Sequence, residues 1–390
     1  MYKPNLQNKR GDNMFINLDR EGTVERLQYL LKQAADDENT SGVLILACDA
    51  NGFTPEKVDE VLKQCKKPVF GGIFPQILFN KEILEKGTIV AGISQPVSTA
   101  VIRGISDISI DLDAIIENTF EWQSLENKTM FVFVDGLSQY ISTLIDSMFN
   151  CWGLLPNYIG GGAGSLTFER KPCVFTGEGL LGDAAVLALA DIKSGIGVAH
   201  GWKPVAGPLK VTEADRNTII SLNWRPAFEV YRETVEKISG KSFDNTDFFQ
   251  LAKGFPFGIV KMAEEMVVRD PISLDGSRLI CVGEVPLNSF VYILKGDKDS
   301  LIAGAVKARQ LAEASYLKPL NEKKEKSLTT FFMDCVSRVS FLQSDFNEEL
   351  EAVYAGYPLL GALTIGEIAN TGKDYLEFYN KTSVIGLLED

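Results

Sequence analysis

A block of strand, helix, strand and strand occurs three times in this chain of 390 residues, and that recurrence constrains the fold more than any other feature. In the first block, the apolar run at 43–48 is short and bounded by turn residues, which predicts a buried strand. Thr54 and Pro55 suit the cap and the first position of the helix that follows. The runs KPVFGGI and GTIVAGI then predict two more strands.

The second and third blocks begin with the runs MFVFVDG at 130–136 and TFFMDCV at 330–336. Each copy ends its first strand near an aspartate and reaches a glycine after its helix; these residues are Asp49, Asp135 and Asp334, and Gly71, Gly161 and Gly361. Strand-helix-strand links favour parallel neighbours, whereas short strand-to-strand links favour antiparallel ones. We therefore predict an α/β protein in which mixed sheets are layered with helices.

Two domains are expected from the length of the chain and from one break in its composition. The segment GWKPVAGPLKVTEADRN is rich in glycine, proline and polar residues, which is typical of a boundary. We predict a polar N-terminal arm at 1–22, a first domain at 23–222 and a second domain at 223–390. The charge run at 321–327 predicts a solvated loop.

Charge and apolar content exclude several classes of partner. The formal charge is −13 and the isoelectric point is about 4.8, so the long-range field of the protein repels nucleic acids and anionic membranes. No apolar run approaches the length of about eighteen residues that a membrane helix needs. The six cysteines are scattered without a C-x-x-C pair, which favours reduced thiols. We expect a cytoplasmic protein with neither nucleic acid nor membrane as a partner.

Two further features bear on cofactors and metals. His200 is the single histidine, which excludes a metal centre built from several histidines and favours a structural role over that of a general base. Gly177, Gly179 and Gly182 spell G-x-G-x-x-G, but a full preceding strand and an acid about twenty residues later are both missing. The motif therefore predicts a turn between two strands, and we expect neither a cofactor nor a metal.

The run GGGAG is a candidate binding segment. Backbone without side chains can approach a ligand closely, so the N–H groups of Gly161, Gly162, Ala163 and Gly164 could bind a carboxylate or a phosphate. The alternative is that these residues only allow two strands to pack tightly. The sequence leaves both interpretations open.

Polar residues near the predicted strand ends of the third block form a second candidate. Arg338 could hold a carboxylate with its guanidinium fork while Glu367 receives an ammonium group, which would suit an amino acid; alternatively the two side chains pair with each other. Asn380 and Thr382 could add neutral hydrogen bonds or simply form a turn. Cys335, close to an arginine, is the best candidate nucleophile, although a strand cysteine is more often a small buried residue.

Several motifs together resemble a known family. GGGAGSLTF, GDAAVLALA, the GW-P-G-x-x-x-VTEAxxN stretch and RPAFEVY resemble the N-terminal FIST domain. VVRDPIS, the FxxCxxR of Phe332, Cys335 and Arg338, GALTIGEI and NKT look like the FIST C-terminal domain. The resemblance covers about 42–388. One departure is GGIFPQI, because the family commonly ends this motif in Gly-Glu, so we place no ligand-contacting acid at Gln76.

The resemblance implies an intracellular sensory module of the kind found with bacterial signalling proteins. We expect a small-molecule-binding protein of signal transduction whose ligand is an amino acid or a related small carboxylate. Its signal would pass to a separate protein, such as a kinase or a chemoreceptor. Two alternatives stay open: an enzyme that attacks an amide or thioester through Cys335, and a protein-interaction scaffold.

Overall fold

The computed structural model describes residues 14–261, 266–317, 327–370 and 375–389. Part of the predicted arm at 1–22, and all of the charge run at 321–327 except its last residue, lie outside these residues. The helices are α1 Val24–Asp36, α2 Pro55–Gln64, α3 Leu112–Glu117, α4 Ile141–Trp152, α5 Ala227–Ser239, α6 Phe248–Ala252, α7 Lys298–Leu317, α8 Val336–Leu342 and α9 Phe346–Val353.

The strands of the N-terminal half are β1 Phe15–Asp19, β2 Gly42–Cys48, β3 Val69–Phe74, β4 Gln76–Phe79, β5 Glu82–Leu84, β6 Thr88–Ile93, β7 Val97–Arg103, β8 Thr129–Asp135, β9 Asn157–Ala163, β10 Val174–Thr176, β11 Gly179–Leu181, β12 Ala184–Ala190 and β13 Ser194–Ala199. Those that follow are β14 Lys203–Asp215, β15 Thr218–Leu222, β16 Arg225–Pro226, β17 Phe257–Ile259, β18 Val267–Asp275, β19 Arg278–Val282, β20 Phe290–Lys295, β21 Leu328–Cys335, β22 Leu359–Thr364, β23 Glu367–Asn370, β24 Leu376–Tyr379 and β25 Ser383–Glu389. Mixed sheets with helices confirm the predicted α/β class.

Three sheets of six strands share one order, which confirms the threefold recurrence. They run β1-β6-β2-β3-β10-β11, β7-β12-β8-β9-β23-β24 and β13-β25-β21-β22-β4-β5. In each, the first and second strands of a block are parallel, and the last strand of the block pairs antiparallel with the first. The three blocks are therefore structural repeats of one unit.

Each block also contains a hairpin, of which the sequence predicted only the one at β10 and β11, as a turn between two strands. The hairpin lies between the second and last strands of its block but joins the sheet of another block: β4 pairs with β22, β10 with β3, and β23 with β9. The exchange is cyclic, so each sheet receives the hairpin of one other block. As a consequence, two of the three sheets contain strands from both sides of the predicted boundary at 222.

The three sheets bury a shared aromatic core. Phe70, Phe131 and Phe331 come from β3, β8 and β21, one from each sheet, and all three are fully buried. The ring centroid of Phe131 lies 5.5 Å from that of Phe70 and 5.6 Å from that of Phe331. Burying one such side chain contributes roughly 1.5–3 kcal/mol. The sheets are thus held together at the point where their apolar faces meet.

One glycine in each block allows close strand pairing. A Cβ atom on Gly71, Gly160 or Gly361 would lie 1.9, 1.8 or 1.8 Å from the carbonyl oxygen of Ile45, Val132 or Phe332. Any side chain there would force the parallel strands apart. The equivalent glycine of the second block is therefore Gly160, one residue before the position predicted from sequence.

A fourth sheet is antiparallel and closes on itself. Its order is β14-β20-β17-β18-β19-β15-β16, and an additional pairing of β14 with β15 completes the ring. The segment predicted as a boundary, 201–217, contains all of β14. Within the described ranges, no helix has both the length and the apolar character needed to cross a membrane.

Candidate functional site

A cavity of about 470 Å³ lies where the fourth sheet meets the three-sheet core. Gln76, Leu166 and Phe168 line it from the N-terminal half. The remaining wall belongs to the C-terminal half and comprises Phe249, Asp270, Ile272, Val282, Cys335, Val336, Ser337, Val339, Ser340, Ile365, Gly366 and Asn380. Most of these side chains are apolar. Among the described residues that line the cavity, Asp270 is the sole charged side chain.

Three polar residues of the wall, Cys335, Ser337 and Asp270, are linked to one another. The Sγ atom of Cys335 lies 3.3 Å from Oγ of Ser337, and Ser337 is hydrogen-bonded to Asp270. Nζ of Lys381 lies 3.0 Å from Oδ2 of Asp270. Burial raises the pKa of Asp270, and the ammonium group of Lys381 opposes that rise. Asn380 precedes Lys381 in the chain and lines the same cavity.

Two of these side chains carry buried atoms without a hydrogen-bond partner. Asn380 and Asp270 are each 1% exposed. Within the part of the chain that the structure describes, Oδ1 and Nδ2 of Asn380 and Oδ1 of Asp270 have no partner. An unsatisfied buried polar group costs about 1–3 kcal/mol, so most proteins pair such groups. A ligand in the cavity could supply the missing bonds.

Arg338 is buried inside the protein and does not line the cavity. Its Nη2 donates to Oε2 of Glu349 at 2.5 Å, and its Nε lies 3.1 Å from Oδ1 of Asp334. Its Nη1 and Nη2 also donate to the carbonyl oxygens of His200 and Leu301, at 2.7 and 3.0 Å. We expected the guanidinium group of Arg338 to be open to a ligand carboxylate. The structure differs, because the group is hydrogen-bonded to other residues of the protein.

Glu367 lies behind the cavity wall rather than in it. Its carboxyl group accepts from Oγ1 of Thr364 at 2.7 Å and from the backbone N–H of Thr382 at 3.3 Å, and it contacts the thiol of Cys335. Burial raises the pKa of Glu367 to about 8. Neither the ion pair with Arg338 nor direct access to an ammonium group is present, but the preceding Gly366 reaches the cavity.

The glycine-rich segment donates at least two of its N–H groups to neighbouring backbone. The N–H of Gly162 donates to the carbonyl oxygen of Gly366, and that of Gly164 to Ile73, both at 2.8 Å. A Cβ atom on Gly162 would lie 2.2 Å from the carbonyl oxygen of Ile365. Gly161 pairs with Glu367 across the sheet, and Ala163 pairs with Asp135. This geometry favours the packing interpretation of Gly161, Gly162, Ala163 and Gly164.

Cys335 lines the cavity, but its environment does not favour a thiolate. Burial raises the pKa of its thiol, and the nearby carboxyl of Glu367 raises it further. A reactive cysteine needs the opposite shift, because the thiolate is the nucleophile. The geometry gives no support to covalent chemistry at this residue.

Three other predicted features have structural roles. Nδ1 of His200 accepts from the backbone N–H of Trp202 at 2.9 Å, and its Nε2 lies 3.1 Å from the carbonyl oxygen of Met266, as in a neutral histidine. The G-x-G-x-x-G motif lies in the β10–β11 hairpin, which confirms the predicted turn. Thr382 donates its hydroxyl to the carbonyl oxygen of Asn380 at 2.7 Å, within the turn that positions the asparagine.

Sequence reasoning missed four residues of the wall that matter chemically and sterically. Asp270 and Ser337 lie inside the motifs VVRDPIS and FxxCxxR, which carry the family resemblance. Those two motifs are the sequence signal that could have identified them. Leu166 and Phe168 lie in the loop 164–173 between β9 and β10, whereas the equivalent links of the other blocks are residue 75 and residues 365–366. Both side chains remain more than half exposed, at 53% and 59%. The long loop is a feature of the second block, and it borders the cavity.

Comparison with known proteins covers almost the whole chain. The model of the FIST N domain matches residues 22–225, and that of the FIST C domain matches residues 227–370. The first match contains the cavity residues of the N-terminal half, and the second contains those of the C-terminal half except Asn380. No curated protein matches the chain.

Proposed function

The chain belongs to the FIST family, whose domains are associated with sensory roles in signal transduction, and from this premise we propose that it detects a small molecule bound in the cavity. One observation carries the proposal. Asn380 and Asp270 line a cavity whose other walls are largely apolar, and together they carry three buried polar atoms without a partner among the described residues. Concave apolar sites with a few convergent polar groups are the usual form of small-molecule sites.

The size and walls of the cavity restrict the ligand. A volume of about 470 Å³ lies within the range of roughly 300–1,000 Å³ that is common for ligand sites. The apolar walls suit an aliphatic or aromatic body, and the polar groups suit one hydrogen-bonding end. An amino acid or a related compound is the first class to test. The proposed setting is the cytoplasm, and the proposed recipient of the signal is a separate signalling protein, such as a kinase or a chemoreceptor.

The position of the cavity offers a route from ligand to signal. Its walls come from both halves of the chain, so a ligand would contact both at once. Leu166 and Phe168 are more than half exposed. A ligand that fills the space beside them would remove part of their apolar surface from contact with water. Ligand binding would therefore stabilise one arrangement of the loop 164–173 over others.

A matched pair of variants tests the proposal. Ile272 lines the cavity from β18, whereas the next residue, Ser273, is exposed. Ile272→Trp should fill the cavity, and Ser273→Trp adds the same ring outside it. Thermal unfolding would be measured against a panel of amino acids, their amides and small carboxylates. A ligand at about 100 times its dissociation constant stabilises the folded state by about 2.7 kcal/mol, visible as a shift of a few degrees.

The expected result is a ligand that stabilises the wild type and Ser273→Trp but not Ile272→Trp. Equal stabilisation of all three proteins would place the ligand elsewhere and would refute the cavity as the sensory site. A panel without any stabilising compound would count against small-molecule sensing of this class.

A further inference from the structure

We propose that the ligand binds through a protonated amine next to a neutral hydrogen-bonding group, so that an amine with an apolar body, such as an amino acid amide, is preferred over a carboxylate. This inference rests on the proposed function and specifies the chemistry of the same site. It follows from the charge of the cavity, from the unpartnered atoms of Asn380, and from the contacts of the nearest cations.

The charge of the lining favours a cation. Asp270 is the one charged side chain among the described residues of the wall; its Oδ2 lies 3.0 Å from Nζ of Lys381, and its carboxyl group is also hydrogen-bonded to Ser337. Its Oδ1 is buried and has no hydrogen-bond partner among the described residues. A charge-assisted hydrogen bond from an ammonium group is the strongest bond that this oxygen can accept. A carboxylate near the same atom would be repelled.

The nearby cations are already engaged by the protein. Nζ of Lys381 contacts Asp270, donates to the carbonyl oxygen of Lys253 at 3.0 Å, and lies 5.2 Å from the ring centroid of Trp202. Arg338 lies outside the wall, with Glu349 and backbone carbonyl oxygens as its partners. A ligand carboxylate would therefore lose its hydration without gaining a cation in the described wall.

Asn380 requires a group that both donates and accepts. Its Nδ2 and its Oδ1 are both buried and unpartnered in the described structure. A carboxylate could accept from Nδ2, but it has no hydrogen to donate to Oδ1. A carboxamide can do both, because it carries an N–H donor and a carbonyl acceptor side by side. The asparagine therefore distinguishes an amide from the acid of the same shape.

The apolar wall defines the other end of the ligand. Phe249, Ile272 and Val282 line the cavity from the C-terminal half, and Leu166 and Phe168 line it from the loop of the N-terminal half. These side chains suit a branched or aromatic group. Phenylalaninamide combines such a group with an ammonium and a carboxamide, and it is the probe that the geometry favours.

Four compounds with the same benzyl group separate the contribution of the amine to the affinity from that of the amide. Phenylalaninamide has the amine and the amide, phenylalanine the amine and a carboxylate, 3-phenylpropanamide only the amide, and 3-phenylpropionate only the carboxylate. Their affinities would be measured by calorimetry at a pH where the amine is protonated. We expect phenylalaninamide to bind tightest, with a loss of about tenfold or more when the amine is removed, as for a buried charge-assisted bond.

Two variants assign each preference to a residue. Asp270→Asn should reduce the preference for phenylalaninamide over 3-phenylpropanamide, and Asn380→Leu should reduce the preference for phenylalaninamide over phenylalanine. Each readout is the ratio of the affinities of two ligands for the same protein. A change in the stability of the variant alone does not alter that ratio. If a variant does not fold, the four affinities of the wild type still decide the question.

Tighter binding of 3-phenylpropionate than of phenylalaninamide would overturn the inference, as would no measurable binding of phenylalaninamide. Either result leaves the proposed function intact if some ligand of the wider panel still stabilises the wild type and not Ile272→Trp. Binding of phenylalaninamide that is unchanged in Ile272→Trp would instead refute both, because the site would not be this cavity.

Discussion

Replacing Arg338 with methionine tests whether this arginine supports the fold rather than holding a ligand. The substitution keeps an apolar stem of similar length and removes the charge. It leaves Glu349 and Asp334 at 0% exposure without their cationic partner. It also removes the donors to the carbonyl oxygens of His200 and Leu301. We therefore expect a large loss of stability in a protein whose cavity lining is unchanged.

The magnitude follows from the burial of the pair. Removing one partner of a buried ion pair costs about 3–5 kcal/mol, because the other charge is left without compensation. Burial already holds the pKa of Asp334 well above its ordinary value, so protonation of this carboxyl limits its share of the loss. One kcal/mol corresponds to about 2–4 °C for a cooperative unit of 150–250 residues. The main thermal transition should fall by roughly 10 °C.

The assay compares thermal unfolding of Arg338→Met with that of Lys298→Met. Lys298 lies 2.6 Å from Glu348 and 3.2 Å from Asp345 in two exposed pairs, each of which should contribute no more than about 1 kcal/mol. A double variant, Arg338→Met with Glu349→Leu, should recover part of the loss because it no longer leaves Glu349 buried without a partner. If Arg338→Met is no less stable than Lys298→Met but loses ligand affinity, Arg338 is a ligand residue and our reasoning is refuted.

Three further outcomes are expected. The stability that protonated Glu367 contributes is complete below about pH 4.5 and is lost as the pH rises through about 8. Across that window the free energy of unfolding of the wild type should fall relative to that of Glu367→Gln, by up to about 1.4 kcal/mol per pH unit. Urea titrations of the two proteins that give the same pH dependence would contradict this. Gly160→Ala, whose Cβ would lie 1.8 Å from the carbonyl oxygen of Val132, should cost about 3 kcal/mol, whereas Gly177→Ala, with nothing within 4 Å, should cost little; equal unfolding midpoints would be inconsistent with the packing argument. Tryptic cleavage after the exposed Arg170, in the loop between β9 and β10, should slow when the cavity is occupied, and an unchanged rate would separate the loop from ligand binding.

Local signals predicted the secondary structure well. Thr54 is the N-cap residue of α2, as the sequence predicted. Pro55 occupies the first position of the same helix, which was also predicted. Such features depend on residues within one or two turns of each other. A single sequence contains all the information that they require.

The structure brings only some of the predicted site residues together at the cavity. Cys335 and Asn380 line the cavity as members of the predicted group, whereas Arg338 lies elsewhere. Neighbours of Arg338 in α8, namely Ser337 and Val339, face the cavity, and the side chain of Arg338 contacts Glu349 of α9 instead. Successive helical residues point about 100° apart, so the direction of each depends on how the helix is docked. The motif FxxCxxR fixes the spacing but not that docking.

The sequence by itself determined the three blocks, their apolar strands and two of the three glycines that let parallel strands approach. Only the tertiary structure decided that the hairpins exchange between sheets, and that Asp270 of β18 lies next to the turn that carries Asn380. The physical reason is the range of the interactions. Periodicity and capping act between near neighbours in the chain, whereas sheet partners and the unpartnered atoms of the cavity depend on residues that only packing of the whole molecule brings together.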